Sequence, residues 1–200
     1  YEDFKLGIRN YRDYLVNKVN KNNINVEYNC NATIEKIQET NPDAVIVATG
    51  ADVYIADIPG HERKNVMSLK GLYEKKLSNN EKVVIIGGGL IGSETALGLA
   101  KDGHDVTIIE ILPSIANGLA LGNYMSIIEE LNKYNVTVYT STSCSNIDDK
   151  NVICTDKDGK ILNIPYDIVV TTTGTKSQNE LTEDIEKAFA DVYIIGDCIT

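Results

Sequence analysis

Lys82-Val83-Val84-Ile85-Ile86-Gly87-Gly88-Gly89-Leu90-Ile91-Gly92-Ser93-Glu94-Thr95-Ala96-Leu97-Gly98-Leu99-Ala100 is the stretch whose reading decides the fold. It opens on a short apolar run rich in β-branched residues, which favours a buried strand. A Gly-x-Gly-x-x-Gly turn follows, and then a run of helix formers. A second β-branched run, Val106-Thr107-Ile108-Ile109, ends on Glu110, 18 residues past Gly92. Strand, glycine turn, helix, strand and acid together make a βαβ dinucleotide site; the glycine pattern alone would be weak evidence.

Each residue type has a chemical reason. Gly87 allows the tight turn out of the strand. Gly89 carries no side chain, so a pyrophosphate can approach the backbone, and Gly92 lets the helix pack close to the sheet. Gly88, Leu90 and Ile91 complete the loop and open the helix, whose free N–H groups and positive dipole end attract phosphate. Glu110, at the tip of the second strand, is placed to accept hydrogen bonds from ribose hydroxyls. A 2′-phosphate would meet its negative charge, and no Lys or Arg occurs between Ile111 and Asn132 to neutralise it. The expected cofactor is therefore NAD(H) rather than NADP(H). The competing reading is an α/β turn that binds no nucleotide and carries a coincidental acid.

Outward from this unit, residues 4–19 read as an amphipathic helix, Ile24–Tyr28 as a short strand and Asp43–Ala48 as a buried strand. Residues 51–66 read as a loop with a turn at Pro59-Gly60. Ser68 is a candidate N-cap for a helix ending near Leu77, and Gly103 a stop for the helix after the glycine turn. Residues 119–133 carry a further helical pattern, and Val136–Tyr139 a strand. From 142 to 164 short strands alternate with the turns Asp148-Asp149-Lys150-Asn151 and Asp156-Lys157-Asp158-Gly159, the pattern of an antiparallel meander. A strand at Asp167–Thr171, a polar loop after Gly174, a helix near 180–188 and a strand at Val192–Ile195 complete the chain. The organisation is a nucleotide-binding core at 80–175 with flanks at 1–79 and 176–200. The flanks each carry an isolated strand, so they should pair with each other or with a partner elsewhere.

A chain of 200 residues with a net charge of −10 and no basic cluster argues against nucleic acid and anionic membrane surfaces. No apolar run approaches a membrane span, and the first residues given carry no signal-peptide pattern. The chain begins on Tyr1 and stops just after Gly196-Asp197-Cys198, so it is expected to be a segment of something longer. Cys30, Cys144, Cys154 and Cys198 form no C-x-x-C pair, and His61 and His104 are the sole imidazoles. A metal centre or redox dithiol is not expected; scattered free thiols fit a reducing cytoplasm.

Several phrases together resemble one family. They are Pro42-Asp43-Ala44-Val45-Ile46-Val47-Ala48-Thr49-Gly50-Ala51, Ile58-Pro59-Gly60, the glycine-rich unit at 83–96, and Tyr193-Ile194-Ile195-Gly196-Asp197-Cys198. The chain is similar to the C-terminal region of the NADH:flavin oxidoreductases related to 2-enoate reductase, 2,4-dienoyl-CoA reductase and trimethylamine dehydrogenase. The resemblance implies an α/β fold: a Rossmann-like NAD(P)H domain with an antiparallel β-meander, flanked by parts of an interrupted FAD domain. It places an FMN-bearing barrel and a four-iron cluster ahead of this region. It implies that Asp197, after Gly196, binds the flavin ribityl chain, and that Thr49-Gly50 and residues near Thr33 lie along the FAD path. Glu94 matches a helix acid near the nicotinamide, with favourable first-turn charge as the alternative. Thr173-Gly174 matches a second glycine turn facing the dinucleotide, with a simple strand end as the alternative.

The family's second Gly-x-Gly-x-x-Gly, for the FAD pyrophosphate, is absent here, as are the barrel and the cluster cysteines. The chain is therefore expected to bind NADH weakly and to hold little or no FAD. In the implied function NADH passes a hydride to FAD, and electrons reach FMN through the cluster to reduce an activated C=C bond of an enoate or enoyl-CoA. No side chain of this segment is expected to be an acid–base catalyst, and the partners are NADH and the missing barrel and FAD-motif segment. The alternatives are another two-dinucleotide flavoprotein, such as an NADH oxidase or electron-transfer reductase, and a non-catalytic NADH-sensing module.

Overall fold

The structure, a computed structural model, describes residues 6–199. In chain order the elements are α1 (Leu6–Lys21), α2 (Ile34–Glu39), β1 (Val45–Val47), β2 (Ala51–Val53), β3 (Val66–Ser68), α3 (Leu69–Glu74), β4 (Lys82–Ile86) and α4 (Leu90–Lys101). They continue with β5 (Asp105–Ile109), α5 (Leu121–Lys133), β6 (Thr137–Tyr139), β7 (Ser143–Ile147), β8 (Asn151–Thr155), β9 (Ile161–Pro165), β10 (Ile168–Thr171), β11 (Thr175–Ser177), α6 (Thr182–Ala188) and β12 (Val192–Ile194). The chain divides into two compact units. One joins the described residues up to Ala48 with Asn179–Ile195; the other takes Thr49–Gln178 and the residues from Gly196.

The larger unit is built on a five-stranded parallel sheet in the order β3-β10-β4-β5-β6. Its central strands β10, β4 and β5 are short β-branched runs covered on both faces, as parallel strands require. Successive side chains of β4 point to opposite faces. Val83 and Ile85 pack with Ala96, Leu97, Ile127 and Leu131 from α4 and α5. Val84 and Ile86 pack with Ile147, Val152, Cys154 and Ile164 from the antiparallel sheet β7-β8-β9. That meander follows from two Asp-led turns. Asp148 accepts from the N–H groups of Lys150 and Asn151, and Asp156 from those of Asp158 and Lys160.

The chain runs from β4 outward through β5 to β6, then returns to place β10 on the other side of β4. The strand order therefore reverses at β4, and the crevice beyond its carboxyl end is where open α/β sheets bind ligands. The Gly87–Gly92 turn occupies that point.

Several local expectations hold. Ser68 caps α3 by accepting from Gly71 N. Gly103, at φ +90°, follows the last residues of α4 and ends it. The flanking strands pair in parallel, Val45 with Val192 and Val47 with Ile194. Others need correction. Ile24–Tyr28 forms no strand; no described strand pairs with it and its residues are exposed. Residues 51–66 are not wholly loop, since β2 and β3 lie at their two ends. β3 joins the edge of the central sheet, and β2 pairs antiparallel with β11, which lies in the stretch read as polar loop. Ala51-Asp52-Val53, Val66-Met67-Ser68 and Thr175-Lys176-Ser177 lack the β-branched and aromatic runs that mark the equally short β1, β6 and β12. β3 and α3 pack on the central sheet, and the larger compact unit runs from Thr49 to Gln178 with the residues from Gly196. The N-terminal helix runs over Leu6–Lys21, and residues 4 and 5 of its expected span lie outside the described residues.

Among the described residues, no helix is long and apolar enough to cross a membrane.

Candidate functional site

The glycines of the β4–α4 turn are required for different reasons. Gly87 has φ +106°, and a Cβ there would lie 2.5 Å from the carbonyl oxygen of Thr172. A Cβ on Gly88 would lie 2.5 Å from Cγ2 of Ile115 and 3.1 Å from Cβ of Glu110. On Gly92 it would overlap the carbonyl oxygen of Gly87, which fixes how closely α4 approaches the sheet. Gly89 is different: a Cβ there would meet nothing within 4 Å. Three of these positions are closed by the protein itself, and Gly89 faces open space.

The loop is held by hydrogen bonds on every side. Gly87 N–H donates to Ile109 O at 2.9 Å. Gly88 N–H donates to Glu110 Oε2 at 2.6 Å, and Leu112 N–H to Glu110 Oε1 at 2.7 Å. Gly88 O accepts from Ala116 N–H at 2.7 Å and from the Ser93 hydroxyl at 3.0 Å. Gly87 O accepts from the Thr172 hydroxyl at 2.7 Å. Glu110 is only 7% exposed, so its carboxylate is part of the packed wall under the loop. Two of its roughly four acceptor positions are used by backbone N–H groups, which leaves capacity for a ligand hydroxyl. At the start of α4, Gly89 is the N-cap and no side chain caps the helix. The first N–H groups of a helix have no partner within it. They meet the open side at Gly89, a cradle that fits a pyrophosphate.

Gly87, Gly88, Gly89, Leu90, Ile91, Gly92 and Glu110 thus form one assembly. Thr172, Ser93 and Ala116 belong to it and escaped the sequence reading. The register offered a signal for Thr172: Thr171 of β10 is the partner of Ile86, so Thr172 falls opposite Gly87. Nothing comparable marks Ala116, an alanine with φ +51° in an irregular loop.

The remaining candidates lie apart from the cradle's hydrogen bonds. Gly174 has φ +128°, and its carbonyl accepts from Tyr54 N–H at 3.0 Å. Gly50 has φ +72°, and its carbonyl accepts from Gln178 N–H at 2.9 Å, while the Thr49 hydroxyl donates to Gln178 O. Thr49-Gly50 and Gly174 therefore mark the two ends of the β2–β11 ribbon. Gly196, with φ +76°, opens a single 3-10 turn in which Asp197 is exposed and Cys198 buried. Glu94 is half-buried in the second turn of α4. The first turn holds no acid, so the reading of Glu94 as first-turn charge does not apply. Thr33 caps α2 by accepting from Lys36 N–H. Among the described residues, no group of three His, Cys, Asp or Glu could hold a metal ion.

A glycine cradle at the switch point of a parallel sheet, backed by a strand-end acid and followed by an antiparallel meander, defines a dinucleotide-binding domain of the two-dinucleotide flavoprotein type. The chain belongs to the pyridine nucleotide-disulphide oxidoreductase family, which matches residues 3–200. Membership supports flavin and nicotinamide cofactors. The chain is 32% identical to an NADH oxidase of Thermoanaerobacter brockii over 96% of its own length and 30% of that protein's. It is 31% identical to a bilirubin reductase of Mediterraneibacter gnavus over 92% of its length and 29% of that protein's. Among solved structures, 2-naphthoyl-CoA reductase in complex with 2-naphthoyl-CoA matches with a TM-score of 0.84 at 29% identity, covering 93% of this chain and 28% of the other. The chain thus spans less than a third of the length of each of these three proteins.

Proposed function

We propose that this chain is the NADH-docking part of a flavin-dependent oxidoreductase that reduces an activated C=C bond. In the complete protein, NADH would supply a hydride to FAD, with an iron–sulfur cluster and FMN outside this chain carrying electrons to an enoate or enoyl-CoA. This segment's own residues bind and orient. The α4 N-terminus and the open face at Gly89 take the pyrophosphate. Glu110 accepts from the adenosine ribose hydroxyls and repels a 2′-phosphate, which selects NADH over NADPH. Thr172, Ser93 and Ala116 keep the loop in its binding shape before the ligand arrives, so little ordering entropy is lost on docking. Thr49, Gly50, Gly196 and Asp197 are assigned to the flavin side and the linker, Gly174 to the glycine turn facing the dinucleotide, and Glu94 to the nicotinamide side. In this reading the nicotinamide domain is centred on residues 80–175, with β3 and α3 added to its sheet from the preceding segment, and the rest of 1–79 and 176–200 belongs to the linker and the FAD part. The barrel and the FAD-motif segment would be its partners.

The observation that carries this reading is the one open glycine in an otherwise closed loop, beside a carboxylate that keeps spare acceptor capacity. The C=C reduction is supported by the likeness to 2-naphthoyl-CoA reductase and to a cinnamate reductase of Clostridium sporogenes, 30% identical over 87% of this chain. A second reading, an NADH oxidase, is supported by the Thermoanaerobacter relative. The two share the docking chemistry and part on what accompanies this chain in the longer polypeptide: a barrel with cluster cysteines, or an FAD motif alone.

Calorimetric titration with NADH, NADPH and FAD in parallel tests the docking role. NADH should bind more tightly than NADPH, with little FAD uptake. Glu110→Gln should narrow the gap between the two nicotinamide cofactors. Equal affinities in the unmodified chain would sink the ribose assignment, and no nicotinamide binding would sink the docking role itself.

A further inference from the structure

The meander brings together two cysteines that the sequence leaves ten residues apart. Cys144 on β7 and Cys154 on β8 are register partners in the antiparallel pair. Directly opposed antiparallel residues have Cα atoms about 4.5–5.5 Å apart, inside the roughly 4.4–6.8 Å range of disulfides. Each thiol perturbs the other's ionisation, Cys144 downward and Cys154 upward, and both cysteines are free. Cys144 is half-buried, whereas Cys154 is 0% exposed and packs against the central sheet. The register shifts between Cys144 and Asn146, so Ser145 is an extra residue, held by its hydroxyl to Ile153 O at 3.1 Å. A bulge beside Cys144 bends that strand and increases its local twist.

We infer that Cys144 and Cys154 form a hydroperoxide-reactive thiol pair, with Cys144 the sulfur that is attacked and Cys154 the sulfur that resolves it into a cross-strand disulfide. In the first step the Cys144 thiolate attacks one peroxide oxygen, and the O–O bond breaks. Cys144 becomes a sulfenic acid, and the released hydroxide takes up the thiol proton as water. In the second step the Cys154 sulfur attacks the Cys144 sulfur. The S–O bond breaks, an S–S bond forms, and the hydroxyl leaves as water with the Cys154 proton. Two thiols and one hydrogen peroxide give one disulfide and two waters, with two electrons passing from sulfur to oxygen.

The division of roles follows from the surroundings. Cys144 is the more exposed of the two, half-buried at the edge of the cluster that encloses Cys154, and its Sγ lies 3.8 Å from Asn146 O. The Cys154 thiol at its side favours the Cys144 thiolate and holds this cysteine below the usual thiol range. Cys154 is pushed upward by the same contact and by burial, so it is the poorer first nucleophile. Its attack on an adjacent sulfenic acid is intramolecular and needs no access from solvent. The pair is independent of the dinucleotide cradle, and its chemistry needs no cofactor.

The test is a thiol count and peptide map of the reduced full chain before and after hydrogen peroxide. Lys150 lies between the two cysteines, so trypsin releases them on separate peptides, 134–150 and 151–157. The expected result is loss of two hydrogen atoms in mass, two protected thiols out of four, and those two peptides joined until a dithiol is added. In Cys154→Ala, dimedone should label Cys144 after peroxide; in Cys144→Ser, neither label nor disulfide should form. Four reactive thiols after treatment would overturn the inference, as would a linkage through Cys30 or Cys198 or a bond between two chains. The map of the unmodified chain decides the matter even if a variant fails to fold.

Discussion

The parallel sheet around β4 and the two-stranded pairing of β1 with β12 use the same kind of strand, and the protein treats them in opposite ways. Val83, Val84, Ile85, Val169 and Val170 are all but fully buried, with helices on one face and the meander on the other. In the flank, Val47 is buried, but Ile46 is 64% exposed, its register partner Tyr193 is exposed too, and α1 buries no residue at all. A parallel strand gains most of its stability from cover on both faces. The larger unit supplies that cover from its own sequence, and the smaller one does not. The dinucleotide cradle is therefore built on the self-sufficient part of the chain.

Core truncation should separate the two regions most sharply. Ile85→Ala removes a fully buried side chain from the middle of β4 and should cost about 2–5 kcal/mol in urea unfolding. Ile46→Ala, a similar change on a strand of similar composition, should stay within about 0.5 kcal/mol. Comparable losses at both sites would mean that the flank is covered after all, and the contrast would fail.

The same contrast explains what was legible in advance. The βαβ unit, both its strands and the glycine turn could be read because each element is long enough to show its own period and punctuation. The meander was readable from its Asp-led turns. β2, β3 and β11 were not, since Ala51-Asp52-Val53, Val66-Met67-Ser68 and Thr175-Lys176-Ser177 lack the β-branched runs of the equally short β1, β6 and β12, and their pairing is decided by partners far along the chain. Ile24–Tyr28 looked like a strand by composition, but composition does not provide a partner. Within the cradle, the residues with a backbone reason were visible and the buttresses were not. Thr172 and Ala116 act through hydrogen bonds set by tertiary register, which a linear pattern does not carry. Cys144 and Cys154 escaped for the same reason: hairpin register, not spacing, makes them neighbours.

Two glycines of one loop sharpen the comparison between packing and binding. At Gly92 a methyl group collides with the backbone carbonyl of Gly87, so Gly92→Ala should destabilise the chain by about 1–3 kcal/mol as α4 is pushed from the sheet. At Gly89 a methyl group meets no protein atom, so Gly89→Ala should leave unfolding within about 0.5 kcal/mol of the parent. NADH affinity should nevertheless fall in both. Thermal melts paired with NADH titration check this. A Gly89→Ala chain that binds NADH as the parent does would show that the open face is not where the pyrophosphate lies.

The smallest expected effect compares one carboxylate from each region. Glu27, in the flank, is held below the usual carboxylate range by the Lys36 ammonium, 2.8 Å away on the surface. Asp148, in the meander, is held low chiefly by the backbone N–H groups of Lys150 and Asn151, both at 2.7 Å. A depressed carboxyl adds stability above its unfolded-state value and loses it as pH falls through its folded-state value. Both contributions should therefore vanish on acidification, but salt should tell them apart. Raising ionic strength from about 0.01 M to about 1 M shortens the screening length from roughly 30 Å to roughly 3 Å. Carboxyl NMR titrations should show Glu27 returning toward its ordinary value in high salt, because its partner is an exposed charge. Asp148 should remain low, because fixed backbone dipoles inside a formed turn are screened far less. If Asp148 climbs as far as Glu27, the turn is held by the nearby Arg63 and Lys150 charges instead, and the meander's independence from surface electrostatics is lost.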